Sequence, residues 1–257
     1  MYRVVIPARY ASIRLPGKPL VKIKGRPLIQ WVYERARRSR AAEVLIATDD
    51  ERIAEVAVGF GAPVVMTSIL HASGTDRIAE VAAQRDWADG DVVVNLQGDE
   101  PLMPEELIGQ CAGLLETHPT ADIGTLAARI SGLAAYMDPN VVKVVTGAQQ
   151  RALYFSRAPI PWHRDAFRAG RALPADAAGA WLRHIGIYAY RAGFLRRFNA
   201  LPPSMLERIE ALEQLRILEA GQRIAVGLSP APFPAGVDTE EDLARVEQAL
   251  SATAARR

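Results

Sequence analysis

Residues 91 to 104 read DVVVNLQGDEPLMP, and this stretch decides the fold. The apolar run from Asp91 to Leu96 has the length and character of a strand buried on both faces, as strands of parallel sheets are. It passes directly into the polar segment Gln97 to Pro101, at the position where open parallel sheets bind their ligands. The acidic pair there, Asp99 and Glu100, suits Mg²⁺, which binds one or two carboxylates together with phosphate oxygens and water. The alternative is that both residues begin the next helix, because acidic side chains are favoured at a helix amino end.

The same alternation of strands and helices extends through the first half of the chain. Strand-like runs occur at Tyr2 to Pro7, Glu43 to Thr48 and Ala62 to Met66. Helical patterns begin at Pro27 and cover about Asp50 to Gly59 and about Gly74 to Trp87. Strands separated by helices of this length indicate βαβ units. The sequence therefore predicts an α/β fold with a mostly parallel, mixed sheet flanked by helices.

The second half of the chain is less regular. Strand-like runs occur at Ala121 to Ile130, Val141 to Thr146, His184 to Arg191 and Arg223 to Leu228. Two helices are predicted within Pro203 to Gly221, and Thr239 is the expected cap of a closing helix. The stretch Arg164 to Ala180, rich in alanine, glycine and charge, is interpreted as a surface excursion. The pattern predicts a single domain over residues 1–257 with an inserted subregion.

Composition excludes several classes of function. The 257 residues include 31 Lys and Arg against 29 Asp and Glu, a net charge of +2, which does not favour a nucleic-acid or membrane binder. The single cysteine, Cys111, cannot form an internal disulfide, and no Cys/His spacing resembles a zinc site. The amino-terminal apolar run is too short for a signal peptide, and no run approaches the length of a membrane span. We expect a soluble, cytoplasmic protein that binds neither nucleic acid nor membrane.

A basic loop follows the first predicted strand. PARYASIRLPGKPL, Pro7 to Leu20, carries Arg9, Arg14 and Lys18. Three cations at a strand end suit a polyphosphate, because arginine forks and a lysine point charge can share several oxygens. The loop matches neither GxxxxGK[ST] nor GxGxxG, so it is not a Walker or dinucleotide motif. The alternative is a solvated basic loop before a helix.

Two further segments carry polar residues before predicted helices. In PAGVDTEEDL, Thr239 and Asp242 form a capping-box-like helix start that does not need Asp238, so Asp238 is available for a ligand. In HASGTDRIAE, residues 71–80, a plain amino-terminal cap is the favoured interpretation of the residues around Ser73.

A third segment, LERIEALEQLRIL, residues 206–218, combines acidic and apolar periodicity. Its apolar residues predict a buried stripe, and its acidic residues are typical of a solvated helix face. The stripe consists of Leu206, Ile209, Leu212 and Leu215, and the polar set of Glu207, Glu210, Glu213 and Gln214.

Taken in order along the chain, these motifs resemble one enzyme family. They are similar to segments of the 3-deoxy-D-manno-octulosonate (Kdo) cytidylyltransferases, the CMP-Kdo synthetases of lipopolysaccharide biosynthesis. The segments are PARYASIRLPGKPL, SGTDR, QGDEP, HIGIYAYR, LEQLR and GVDT. RLPGKPL with QGDEP is typical of the wider sugar-activating cytidylyltransferases. YFSRAPIPW, Tyr154 to Trp162, and HIGIYAYR narrow the resemblance to the Kdo branch.

The resemblance implies a Rossmann-like nucleotide-diphospho-sugar transferase fold and a homodimer. It implies a nucleotide-binding part at about 1–130 and 223–257, with a smaller dimerisation and sugar-binding subregion at about 131–222. It also implies the reaction CTP + Kdo → CMP-Kdo + diphosphate with Mg²⁺ as cofactor.

The resemblance further implies roles for individual residues. The expected catalytic residues are Arg9, Lys18, Asp99 and Asp238, of which Asp99 and Asp238 would bind the metal. Arg14 is expected near the phosphates or the sugar acid, and the cytidine pocket is expected to involve Ser73, Thr75 and Arg77. The expected contacts to the sugar acid are Gln97, Arg164, His184, Tyr188, Glu213 and Gln214.

These roles suggest a mechanism in which the anomeric hydroxyl of Kdo attacks the α-phosphorus in line with departing diphosphate. Both reactants are anionic, so their repulsion must be neutralised. In one hypothesis a first magnesium ion organises the triphosphate. A second, held by Asp99 and Asp238, lowers the pKa of the attacking hydroxyl.

The alternative functions are CMP transfer to sialic acid or to an amino-substituted Kdo, or a catalytically silent nucleotide-binding regulator. A nucleic-acid-binding module is disfavoured by the charge balance.

Overall fold

The computed structural model describes residues 1–11, 15–71, 73–168, 179–230 and 236–254. The strands in these ranges are β1 Tyr2–Ala8, β2 Lys22–Ile23, β3 Arg26–Pro27, β4 Glu43–Thr48, β5 Val64–Met66, β6 Val92–Asn95, β7 Ile123–Arg129, β8 Lys143–Thr146, β9 Ala152–Ser156, β10 Leu182–Arg191 and β11 Ile224–Leu228. The helices are α1 Leu28–Arg38, α2 Glu51–Gly59, α3 Gly74–Gln84, α4 Glu105–Thr117, α5 Leu133–Met137, α6 Arg164–Arg168, α7 Ala192–Phe198, α8 Met205–Glu210, α9 Gln214–Glu219 and α10 Glu240–Ala254.

The chain divides into two compact units. The first comprises Met1–Ala112, Tyr190–Asn199 and Phe233–Arg257, and the second comprises Gly113–Ala189 and Ala200–Pro232. The second unit thus takes in β7 and β11, which the sequence-based boundaries assign to the nucleotide-binding part. These two strands pair with each other in parallel, and β7 also lies beside β10. The sequence-based boundaries themselves stay a prediction.

The first unit is built on four parallel strands in the order β6-β1-β4-β5. In β1, Val4 to Ile6 are completely buried, which requires cover on both faces of the sheet. A separate cluster, made of Ile23, Leu28, Val237, Val246 and Leu250, packs α1 against α10. Because the strands run in parallel, their carboxyl ends lie along one edge, and the loops that follow β1, β4 and β6 all begin there.

The second unit is mixed. β11 and β7 are parallel, whereas β10 with β8 and β8 with β9 are antiparallel. An aromatic cluster of Tyr136, Trp181 and Phe167 packs with Ile130 beside β7 and β10. The predicted α/β class, with mostly parallel pairing and flanking helices, is confirmed.

Most predicted elements are present with small shifts at their ends. The helix predicted to reach Trp87 ends at Gln84, and Asp86 just beyond it has the left-handed backbone, with φ +48°. The strand β9 and the short helix α7 were not predicted. No helix in the described residues has both the length and the apolar character needed to cross a bilayer.

Candidate functional site

The loop after β1 carries Lys18 to the edge of the first unit's sheet. Gly17 has φ +66°, a conformation that suits glycine, and its N–H donates to the carbonyl of Tyr10 at 3.1 Å. The hydrogen bond closes the loop on itself, and a short 3₁₀ turn begins at Lys18. Arg9, in the same loop, is exposed. Arg14, the third predicted cation, lies outside the described residues.

Asp99 reaches the same edge from β6. Its neighbour Gly98 lies so close to β1 that an added Cβ would stand 2.9 Å from the Pro7 carbonyl oxygen. Only glycine allows this approach, and it brings the ends of the two paired strands together. The next helix, α4, begins at Glu105. The interpretation in which Asp99 and Glu100 start that helix is therefore wrong, because the Pro101–Pro104 turn intervenes.

Asp238 comes from the segment before α10. Asp242 accepts hydrogen bonds from the N–H groups of Asp238 (2.9 Å) and Thr239 (3.0 Å), and Thr239 Oγ1 accepts one from the Asp242 N–H (3.2 Å). The predicted capping arrangement is thus present. The capping bonds are made by Asp242 and Thr239, and the Asp238 carboxylate contacts Lys18.

Lys18 joins the two carboxylates. Its Nζ donates to Asp99 Oδ2 at 2.6 Å, to the Val237 carbonyl at 2.9 Å and to Asp238 Oδ1 at 3.1 Å. Burial alone would lower the pKa of Lys18, but attraction to Asp99 and Asp238 and the hydrogen bonds to them outweigh it and raise the pKa above its ordinary value. Lys18 therefore stays charged, and one ammonium holds two carboxylates that would otherwise repel each other.

A cavity of about 380 Å³ opens beside this cluster. The residues that line it are Pro7, Ala8, Arg9, Lys18, Pro19, His71, Ser73, Gly74, Arg77, Gln97, Gly98, Asp99 and Asp238. Seven of the residues predicted from the sequence are among them, although the predictions came from four separate segments. Gln97 is one of these seven, and its Nε2 donates to Asn95 Oδ1 at 3.1 Å.

The predicted cytidine-pocket residues occupy the start of α3. Ser73 Oγ accepts from the Asp76 N–H at 3.1 Å and Asp76 Oδ2 accepts from the Ser73 N–H at 3.0 Å, a complete capping box. The plain-cap interpretation of Ser73 is therefore confirmed, and the same residue lines the cavity. Thr75 is buried in the first turn of α3 and does not line the cavity.

Arg77 is held by residues that sequence reasoning missed. Its Nη2 donates to Asp49 Oδ2 at 2.9 Å and its Nη1 to the hydroxyl of Thr67, and all three side chains are largely buried. Asp49 follows β4 directly, so the strand-end rule that identified Asp99 would also have found it.

His71 was not predicted either, although it lies in the quoted segment HASGTDRIAE. Its Nε2 is 2.5 Å from Glu80 Oε2, and Glu80 also accepts from the Ser68 N–H at 2.8 Å. Burial would raise the pKa of Glu80, but these hydrogen bonds outweigh it and lower the pKa. The contact therefore holds His71, which lines the cavity, against α3, in which Glu80 lies.

At this cavity Asp99 and Asp238 offer a hard cation two carboxylates. The described residues contain no group of three or more His, Cys, Asp or Glu side chains placed to hold a metal. Two carboxylates are nevertheless what Mg²⁺ needs from a protein when a substrate's phosphate oxygens and water supply its other ligands. Asp99 and Asp238 therefore fit a magnesium ion that arrives with a polyphosphate.

The other predicted contacts belong to the second unit. His184 in β10 is partly buried, with its ring edge-on to Phe155 (ring centroids 5.1 Å apart) and tilted against Tyr188 (5.3 Å). Its Nε2 is 3.0 Å from Thr125 Oγ1 of β7. Burial lowers the pKa of His184 to about 3, so the ring is neutral at physiological pH.

Glu213 and Gln214 lie at the junction of α8 and α9. Ala211 has a left-handed backbone that ends α8, Glu213 precedes α9, and Gln214 is buried in the first turn of α9. The predicted buried stripe is wrong at Ile209. This residue lies just before the break, on the outer side of α8, and is 73% exposed. Leu212 and Leu215 are buried as predicted.

Arg164 begins α6. Its side chain is 85% exposed and its Nε donates to Asp165 Oδ1 at 2.8 Å. The predicted surface excursion from Arg164 to Ala180 is described only at its ends, since residues 169–178 lie outside the described ranges.

With this geometry in place, comparisons with known proteins extend the assignment. The model of the family described as Cytidylyltransferase matches residues 3–224. A 3-deoxy-manno-octulosonate cytidylyltransferase of Xanthomonas oryzae pv. oryzae is 58% identical over 246 residues, 95% of this chain and 94% of the relative. One from Stenotrophomonas maltophilia is 54% identical over 254 residues, 98% of each chain.

Solved structures give the same result. A CMP:2-keto-3-deoxy-manno-octonic acid synthetase complexed with CTP superposes with a TM-score of 0.88 at 42% identity, covering 98% of this chain and all of the other. A cytidylyltransferase from Leptospira borgpetersenii has a TM-score of 0.63 at 16% identity, covering 98% of this chain and 87% of the other, and supports the fold alone.

Proposed function

Since the chain belongs to the 3-deoxy-manno-octulosonate cytidylyltransferase family, we propose that it catalyses CTP + Kdo → CMP-Kdo + diphosphate. The observation that carries this proposal is the Lys18–Asp99–Asp238 cluster beside the cavity, where three segments distant in sequence meet. The alternatives, another sugar acid or a silent nucleotide-binding regulator, are not favoured by any of the named relatives.

At the α-phosphorus the reaction forms one bond and breaks one. The anomeric hydroxyl oxygen of Kdo bonds to the α-phosphorus of CTP, and the bond from that phosphorus to the oxygen bridging to the β-phosphorus breaks. Diphosphate leaves with this electron pair, and the hydroxyl proton passes to solvent or to a basic group. Kdo carries a carboxylate and CTP a triphosphate, so the protein must lower their mutual repulsion before attack.

The first unit supplies positive charge for this purpose. Lys18 remains protonated because both aspartates raise its pKa, and Arg9 places a second cation at the cavity. In our proposal these two groups bind the triphosphate and stabilise the charge that develops on the leaving diphosphate. Arg77 and Ser73 line the same cavity, and we assign the cytidine to that side.

Asp99 and Asp238 would hold the magnesium ion. When bound, Mg²⁺ offsets the negative charge of the triphosphate and lowers the pKa of a hydroxyl coordinated to it. Lys18 keeps the two carboxylates together and oriented toward the same cavity, which is the contribution of the chain itself.

We assign recognition of the sugar acid to Gln97 and to polar side chains of the second unit. Those side chains are Arg164, His184, Tyr188, Glu213 and Gln214, as the family resemblance implies. Arg164 supports this assignment because its exposed guanidinium, paired with Asp165 alone among the described residues, can exchange that partner for a carboxylate.

We also propose a homodimer that acts in the cytoplasm in lipopolysaccharide biosynthesis. Several large apolar side chains in the predicted dimerisation subregion are exposed, which favours a partner surface. They are Leu153, Trp162, Met205 and Ile209. Light scattering should give twice the mass of one chain, and the mass of a single chain would contradict the dimer.

The reaction is tested by measuring diphosphate release from CTP and Mg²⁺ with Kdo, with sialic acid and with no sugar. We expect release with Kdo alone. Release with sialic acid alone would keep the chemistry and overturn the sugar assignment. CTP binding without release under any condition would favour the silent regulator.

A further inference from the structure

The hydrogen bonds around His184, one of the predicted sugar contacts, define which ring nitrogen carries its proton. Thr125 Oγ1 lies 2.7 Å from the Ile187 carbonyl oxygen, 3.3 Å from the Ile185 carbonyl oxygen and 3.0 Å from His184 Nε2. A threonine hydroxyl has one proton and two lone pairs, and a carbonyl can only accept. Thr125 therefore donates its proton to a carbonyl oxygen, and the Ile187 carbonyl is the nearer of the two.

The position of that proton determines the imidazole tautomer. With its proton on a carbonyl, the Thr125 oxygen presents a lone pair to His184, so Nε2 must carry the hydrogen. A second proton on the ring is excluded at physiological pH, because burial lowers the pKa of His184 to about 3. The ring is thus the neutral Nε2–H form, and Nδ1 keeps its lone pair.

Nδ1 is available for a ligand. In the part of the chain that the structure describes, the polar contact of the His184 side chain is the one between Nε2 and Thr125. No buried side-chain nitrogen or oxygen of the described residues lacks a partner, so Nδ1 is not fully buried, in agreement with the partial exposure of His184. Phe155 and Tyr188 contact the ring and fix its plane.

We propose that Thr125 is a positioning residue that holds His184 as the Nε2–H tautomer, so that Nδ1 accepts a hydrogen bond from a hydroxyl of the sugar acid. This inference rests on the proposed function and assigns a direction to one contact of that site. An uncharged acceptor repels a carboxylate and attracts a hydroxyl. His184 therefore recognises the polyol portion of Kdo, and the carboxylate belongs to a cationic group elsewhere.

The tautomer is tested in the free enzyme by NMR of ¹⁵N-labelled histidine. With four histidines in the chain, the His184 signals are assigned from a His184→Gln variant. We expect a protonated Nε2 and an unprotonated Nδ1 in the wild type and in Thr125→Ser, which keeps the hydroxyl. Thr125→Val removes the acceptor and should release this preference. A protonated Nδ1 in the wild type would overturn the proposal.

Kinetics test the contact with the sugar. Thr125→Val should raise the KM for Kdo about tenfold, the effect of weakening one hydrogen bond, while kcat changes less than twofold and the KM for CTP stays constant. Thr125→Ser should behave as the wild type. An unchanged KM for Kdo in a folded Thr125→Val enzyme would contradict the proposal.

A third measurement compares substrate analogues in the wild type and in His184→Gln. Among Kdo analogues that each lack one hydroxyl, one should lose about tenfold in kcat/KM with the wild type and no more than about twofold with His184→Gln. If each analogue lost the same factor in kcat/KM with both enzymes, the proposed hydrogen bond between His184 and a sugar hydroxyl would be contradicted. A wild type that releases no diphosphate with Kdo would refute the proposed function and the assigned contact with it, whereas the NMR experiment would still decide the tautomer.

Discussion

The two compact units place different chemistry at their predicted ligand contacts. The first unit uses full charges, with Lys18 between two carboxylates and Arg77 paired with Asp49. The second adds neutral groups, the imidazole of His184, the aromatic ring of Tyr188 and the buried amide of Gln214, to two charged side chains, Arg164 and Glu213. The contrast corresponds to what each set is proposed to bind, since a triphosphate is recognised by charge and a polyol by the direction of its hydrogen bonds.

This contrast also explains how each set must be built. Charges act over several ångströms and tolerate small displacements, whereas one hydrogen bond distinguishes substrates only when donor and acceptor are fixed. The first unit accordingly collects charges from loops at strand ends. The second holds His184 through a hydroxyl on a neighbouring strand. Substitutions in the two units should therefore differ in both size and kind.

The largest effect is expected for Asp99→Asn. The amide keeps the shape of the side chain but weakens both its attraction for a cation and its bond to Lys18, so kcat should fall by roughly 10²-fold or more in a protein that still folds. Steady-state kinetics with CTP and Kdo measure this. Glu55→Gln, on the exposed face of α2, is the matched control. Near-normal turnover in folded Asp99→Asn would refute the metal assignment.

A smaller effect is expected for Asp49→Asn. Arg77 would keep a polar neighbour but lose its ion pair, and a largely buried guanidinium is costly to leave without one. The KM for CTP should rise about tenfold with little change in kcat, and the melting temperature should fall. An unchanged KM for CTP would show that Arg77 does not depend on Asp49 for its position.

These two aspartates show what the sequence could predict and why. The apolar runs of a parallel sheet specify the strands and their carboxyl ends, so Asp99 could be found, and the same rule extends to Asp49. Asp238 could be singled out because its neighbours suffice for the helix cap. That Asp99 and Asp238 line one cavity, with Asp49 paired to Arg77 beside it, depends on the tertiary arrangement, which one sequence does not give.

The second unit was harder to predict for a physical reason. Thr125 lies in a strand of small and apolar residues and acts only through a neighbour on another strand, so no local pattern distinguishes it. Ile209 was placed on a buried stripe because helical periodicity assumes a continuous helix, and the left-handed backbone of Ala211 breaks it. His184 and Tyr188 were identified by family resemblance alone.

The units should also differ in how pH affects stability. In the first, the pKa of Lys18 is raised above its ordinary 10.5, so its stabilisation is complete below that value and lost as pH rises through the folded-state pKa. Urea unfolding of the wild type and Lys18→Met should show a difference, about 1 kcal/mol, that shrinks above pH 10.5. A difference that is constant to pH 12 would contradict the assigned pKa shift.

In the second unit the loss should come at acid pH. Burial would raise the pKa of Glu207, but its bonds from Arg216 and the Ser204 N–H outweigh burial and lower the pKa below 4.5. Its stabilisation is complete above pH 4.5 and lost as pH falls through the folded-state value. Glu207→Gln should cost about 1 kcal/mol at pH 7 and less at pH 3, unlike the exposed Glu55→Gln. Equal costs at both pH values would contradict this prediction.

The most direct test of whether the two units recognise separate substrates is to measure both Michaelis constants in Lys18→Met and Thr125→Val. We predict that Lys18→Met raises the KM for CTP at least tenfold and lowers kcat, with the KM for Kdo changed less than about threefold. Thr125→Val should raise the KM for Kdo and leave that for CTP unchanged. If both variants instead raised both constants equally, the two sets of residues would not recognise separate substrates, and the account would be contradicted.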